Sequence, residues 1–276
     1  MGTSKSKPPA RPGQPLVPSW ADTDPPADGQ NPAQQPPLQS PAIPPAAPPQ
    51  LPPSEVIEPR RLSGFRRSLK RFYGSGDKSD ARKALGHFAR GSTGSGGASS
   101  RRIARAARVG GAVIAAISGA AHGNPVAANG FDLAALTGRP LSEAIGAIVD
   151  AFCPPGIFDE DLLRASIGEA LAEALDGNDP FDAQAITDEA TVIATRALIG
   201  ELVFRQVMTE QGQAAENVPP AQAVVRENDF RSLVREVTDV HATPSIAATN
   251  GQLSQNQVAA IVQRVVAIVM QEASEW

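Results

Sequence analysis

Most of the chain's 26 prolines fall within residues 1–59, in runs such as PPARPGQPLVPSWADTDPPADG and QSPAIPPAAPPQLPPSEVIEP. Proline lacks a backbone N–H and fixes its own φ, so neither a helix nor a sheet ladder is sustained through such runs. The expected state of residues 1–59 is a disordered, polyproline-like coil. Whatever folds must fold from the remainder. One island interrupts the tail, Leu16-Val17-Pro18-Ser19-Trp20. Two readings of it are open: a short motif that docks in a partner groove through Leu16, Val17 and Trp20, or a chance aromatic in a linker.

The rest of the chain has strong electrical polarity. From Arg60 to Arg108 the cations are Arg60, Arg61, Arg66, Arg67, Lys70, Arg71, Lys78, Arg82, Lys83, Arg90, Arg101, Arg102, Arg105 and Arg108, opposed only by Asp77 and Asp80. Beyond Gly110 acids dominate, and the formal net charge of the whole is -4. Two surfaces with different partners, or one surface neutralising the other, are both consistent with this.

Helical periodicity runs through the folded part. RRLSGFRRSLKRFYG places Leu62, Phe65, Leu69 and Phe72 on one stripe with the cations mostly elsewhere, which predicts an amphipathic basic helix ending at Gly74. DKSDARKALGHFARG predicts a second, capped by Asp77 and stopped by Gly91. STGSGGASS reads as a joint. The helix after it begins basic and turns apolar, with Gly110-Gly111 as a weak point.

From Asn129 onward helix follows helix. Leu141, Ile145, Ile148, Val149 and Phe152 share a face in PLSEAIGAIVDAFCPPG. Leu162, Leu163, Ile167, Ala170, Leu171, Ala174 and Leu175 share another in FDEDLLRASIGEALAEALDG. DAQAITDEATVIATRALIGELVFRQVMTEQG predicts the longest helix, and PPAQAVVRENDFRSLVREVTDVHA one with Pro near N1. The last, SQNQVAAIVQRVVAIVMQEASEW, opens on a Ser254/Gln257 capping box. The fold class is therefore all-α, a bundle-like helical domain after a Pro-rich tail. The divisions read as a tail over 1–59, a basic helical segment over 60–123 and an acidic helical domain over 124–276. Aromatics make up only 4% of residues, so Ala, Leu, Ile and Val must fill the core. Such a core predicts moderate stability or dependence on a partner.

No catalytic constellation stands out. No Walker-type G-x-x-x-x-G-K-[ST] and no dinucleotide fingerprint is present, and GSTGSGGASS lacks a phosphate-gripping lysine. His87, His122 and His241 are isolated, so no metal is expected. The lone Cys153 precedes two prolines and reads as a buried hydrophobe. Val109–Ala121 is too short to span a bilayer and no secretory signal is visible, which points to the cytoplasm with no membrane partner. The start, MGTSKS, fits the N-myristoylation pattern at Gly2, though one acyl chain gives only marginal anchoring. The basic stretch 60–108 suits an acidic protein surface first. Its alternative is a nucleic-acid-binding adaptor that neutralises phosphates and stacks bases on Phe65, Phe72, Tyr73 or Phe88.

MGTSKS, PLVPSW, RRSLKRFYGSGDKSDARKALGHFARGSTGSGGASSRRIARAARVGGA and AFCPPGIFDEDLLRASIGEALAE together resemble the QatB family of the bacterial Qat anti-phage defence system. The resemblance spans the tail motifs and residues 60–210. It implies a non-enzymatic component that partners a QueC-like enzyme, QatC, and more broadly a P-loop ATPase, QatA, and a TatD-like nuclease, QatD. It also implies that QatC attaches a 7-deazaguanine through an amide to Gly2 once Met1 is removed, with no other cofactor. Partner contacts are expected at Leu16, Val17 and Trp20 and at the cations Arg66, Arg67, Arg71, Arg101 and Arg102.

Overall fold

A computed structural model describes residues 61–93, 98–153, 155–156, 159–249 and 252–276. Eight α-helices account for most of them: α1 Ser63–Ser75, α2 Lys78–Thr93, α3 Ala98–Ala121, α4 Leu141–Phe152, α5 Glu160–Ala174, α6 Asp188–Met208, α7 Pro220–Ala247 and α8 Gln255–Ser274. Short 3-10 turns at Leu133–Leu136 and Ala183–Ala185 link α3 to α4 and α5 to α6. Among the described residues there is no β-strand, only an isolated bridge between Val126 and Asp132.

The stripes read from the sequence are the buried faces. Phe65, Leu69, Phe72 and Tyr73 of α1 lie under the surface, while Arg66, Arg67, Lys70 and Arg71 stay exposed. Gly76, in the left-handed conformation, ends α1 by donating its N–H to the Phe72 carbonyl at 2.7 Å. Asp77 starts α2 by accepting from the Ser79 N–H at 2.8 Å. The two helices form a hairpin, and Phe72 reaches Phe230 of α7 with ring centres 6.0 Å apart. Helices from 63–121 and from 141–274 contribute to one continuous core.

The bundle turns on α3 and α6. Helix α6 lies between α5, α7 and α3, and is buried on nearly every side, which is why it has no clear amphipathic stripe. Helix α3 crosses α8 closely at Gly111, while Gly110 lets Leu198 of α6 approach, a Cβ there standing 2.6 Å from the Leu198 side chain. A Cβ on Gly111 would stand 2.9 Å from the Gln255 carbonyl oxygen. The pair expected to weaken the helix is a packing device. The 20-residue window Arg102–Ala121 of α3 is also long and apolar enough to cross a membrane by length and composition, more than the Val109–Ala121 run suggests. In this fold it packs on α8 and α6.

Four helix boundaries differ from expectation, the first being α1, which runs past Gly74 to Ser75. Gly91 lies inside α2 rather than ending it, with Leu62 packed against its bare Cα. The long helix expected from Asp182 begins only at Asp188, because two side chains take the backbone donors. Asp182 accepts from Gln184 N–H at 2.9 Å, and Thr187 from Ala190 N–H at 3.2 Å. The longest helix is instead α7, at 28 residues, which continues through Pro244. The carbonyl that Pro244 leaves without its helical donor belongs to Val240, whose side chain is 66% exposed. The Ser254/Gln257 capping box on α8 is present in full.

Candidate functional site

The outer face of the α1–α2 hairpin is a field of cations. Helix α1 supplies Arg66, Arg67, Lys70 and Arg71, all exposed, and α2 supplies Lys78, Arg82, Lys83 and Arg90, also exposed. Their convergence is felt by His87, which hydrogen-bonds Arg90 Nη2 through Nδ1 at 3.3 Å. Burial first, then the charges of Arg90, Arg71 and Arg67, hold the His87 imidazolium pKa below its ordinary value.

Several of these cations are already engaged. Arg71 Nε lies 3.3 Å from Asp80, and Arg102 Nε lies 3.5 Å from Asp159. Arg66 donates from Nε to the Glu210 carbonyl at 3.0 Å and places Nη2 3.5 Å from the same residue's carboxylate. Part of the basic segment thus neutralises the acidic half of the same chain. Arg67 and Lys70 have no hydrogen-bond or ion-pair partner among the described residues. Arg101 belongs to α3, and its side chain lies outside the described residues. Gly2, Leu16, Val17 and Trp20 also lie outside them.

The aromatics of this segment do not face outward. Phe65, Phe72, Tyr73 and Phe88 are all buried, so none offers a ring for base stacking. Phe65 meets Phe88 edge to face at 5.5 Å, and Tyr73 O–H donates to Gln211 Oε1 at 3.4 Å. Burial, with a smaller push from Glu227, raises the Tyr73 phenol to about 12.

Two concave surfaces border these elements. Arg66, Arg67 and Lys70 face the turn Gly212–Ala214 and Glu216 across a groove of about 480 Å³. A second, of about 580 Å³, lies between α3, the 124–129 loop, the end of α4 and the start of α8. It has an apolar wall including Val126 and Phe152, and Asn124, Gln252, Gln255 and Arg108 among its polar groups.

Sequence reasoning missed the most deeply placed charge. Glu201 of α6 is fully buried, with Arg205 Nε 3.2 Å from its Oε2, Arg235 Nη2 3.2 Å from Oε1 and Arg231 Nε 3.6 Å from Oε1. Arg231 also lies over the Phe204 ring at 4.7 Å, and Arg235 reaches Glu173 at 2.6 Å. The signal in the sequence is a single acid inside the apolar run LIGELVF with Arg four residues on. Cys153 is buried, and its thiol is pushed up to about 11, chiefly by burial. Such a thiol carries almost no thiolate at neutral pH. Among the described residues no group of three or more His, Cys, Asp or Glu is arranged to hold a metal ion.

A family model described as Qat anti-phage system associated protein QatB matches residues 94–271. The match starts after the α1–α2 hairpin and ends within α8, so it takes in the chain beyond residue 210. No curated protein and no solved structure matches the chain.

Proposed function

The chain belongs to the QatB family of Qat anti-phage system associated proteins, a component of anti-phage defence, and from that premise we propose that it serves there as a non-enzymatic partner and modification substrate of a QueC-like enzyme. The acceptor is Gly2. The observation that carries the reading is the family match together with Met1-Gly2 ahead of a proline-rich stretch.

Removal of Met1 leaves glycine, the least hindered of all α-amines, with a pKa near 8 and a usable neutral fraction. A QueC-like enzyme activates the carboxyl group of a 7-deazaguanine with ATP. The α-nitrogen attacks that carboxyl carbon, an amide bond forms, the activating group leaves with the bonding electrons, and the amine gives up a proton. The proline-rich composition ahead of the folded body suits an amine that must enter a deep active site while that body engages elsewhere. The P-loop ATPase and the TatD-like nuclease are the further members of the assembly, which acts in the cytoplasm.

Intact-mass analysis after coexpression with the neighbouring QueC-like enzyme tests this. The expected result is a chain lacking Met1 with one deazaguanine-carbonyl added, and Gly2→Ala abolishes the adduct. A Gly2 terminus that stays unmodified beside an active enzyme overturns the proposal.

A further inference from the structure

The groove beside α1 has donors on both walls. Arg67 and Lys70, unpaired among the described residues, line it from the helix. Opposite them, Gly212 adopts φ +56°, which lets the turn run beside the pinned Arg66 side chain. A Cβ at Gly212 would stand 3.3 Å from Arg66 Nε. Among the described residues, the N–H groups of Gly212 and Gln213 donate no backbone hydrogen bond. Two carboxylates oppose the three cations: Glu210, already engaged by Arg66, and Glu216 on the far wall. Free charge and unused backbone donors therefore meet at one concave surface.

We propose that Arg67, Lys70 and the Gly212–Gln213 turn form a seat for a backbone phosphate of nucleic acid. Donors offered by a helix on one wall and by a turn on the other suit a tetrahedral phosphate better than a planar carboxylate. The cationic surface does not stop at the groove. The same hairpin also exposes Lys78, Arg82 and Lys83 on α2. A track of this kind fits a repeating anion. Because Phe65, Phe72, Tyr73 and Phe88 are buried, the bases go unread and the contact is independent of sequence. The inference stands apart from the Gly2 reading and survives its failure.

The test uses the full chain and a labelled oligonucleotide, single-stranded and duplex in parallel, with fluorescence anisotropy between about 50 and 200 mM salt. The parent binds with a salt dependence typical of phosphate contacts. Arg67→Gln/Lys70→Gln weakens binding and makes the log–log salt slope shallower by about 1.4 on single strands and about 1.8 on duplex. Both residues are exposed, so the far-UV circular dichroism stays that of the parent. Arg264→Gln, an equally exposed cation on α8, leaves binding unchanged. The proposal is overturned by no measurable binding at low salt, by an unaltered slope in the double variant, or by an equal loss in Arg264→Gln. It is also overturned if a poly-glutamate peptide displaces the oligonucleotide as effectively as unlabelled nucleic acid, which would assign the seat to an acidic protein.

Discussion

Replacing Glu201 by Gln removes one buried negative charge and leaves three guanidiniums facing one another. Among the described residues, only Arg235 Nη2 makes a well-aimed hydrogen bond to the carboxylate, at 3.2 Å, while the Nε groups of Arg205, Arg231 and Arg235 are buried without one. The cluster is thus held by ionic attraction more than by hydrogen bonding. Removing one partner from a fully buried pair costs about 3–5 kcal/mol. Here the arginine side chains keep 23%, 24% and 30% exposure, and Arg235 retains Glu173. That screening brings the expectation for Glu201→Gln to about 2–3 kcal/mol. For a domain of this size the melting temperature falls by about 4–12 °C. Urea denaturation followed by circular dichroism measures it as a lower midpoint at unchanged slope. Glu173→Gln, at a side chain 46% exposed, is the comparison and loses about 1 kcal/mol or less. A Glu201→Gln protein within about 0.5 kcal/mol of the parent would refute the reasoning, because the arginines would then be solvated well enough to need no counter-charge.

Gly111→Ala is expected to destabilise by about 1–3 kcal/mol, since the new methyl meets the backbone carbonyl of Gln255 rather than a yielding side chain. Thermal melts check it, and an unshifted melting temperature would mean that α3 and α8 part freely. Alkaline pH supplies a further test. The folded state raises the Cys153 thiol from 9.0 to about 11, so it holds that proton more tightly than the unfolded chain does. The resulting stability is complete below pH 9.0 and is lost as pH rises toward about 11, with Tyr73 adding the same sign between 10.0 and about 12. Urea midpoints measured across this range fall in the parent and fall less in Cys153→Ala. Equal curves for the two proteins would remove the thiol from the account.

What was legible in the sequence is what repeats. The stripes of α1, α4 and α5 and the capping box of α8 follow from local periodicity and local hydrogen bonds, and both survive in the fold. Features set by distant neighbours were not legible. Gly110-Gly111 reads as a weakness until α6 and α8 are laid against it, and α7 runs on through Pro244 past the stretch read as helix to Ala242. Glu201 has no local partner except Arg205, since its other two arginines lie on α7. At the candidate surface, the charge of residues 60–108 was plain. Which of its cations are spent internally was not, because Arg71 meets Asp80, Arg102 meets Asp159 and Arg66 meets Glu210 only after folding. The Gly212–Gln213 turn, 142 residues or more from Lys70, gave no sign of belonging there.

The hairpin of α1 and α2 lies outside the stretch that identifies the family, yet its inner side closes the core over α7 and α8. Phe72 packs on Phe230 and Phe65 on Phe88, so loss of either ring opens the core to water, whereas the exposed Arg67 and Lys70 close none of it. Inheritance and folding thus draw different borders through the same molecule. The outward half of the hairpin sets what the surface can engage, and the inward half sets whether the core stays closed.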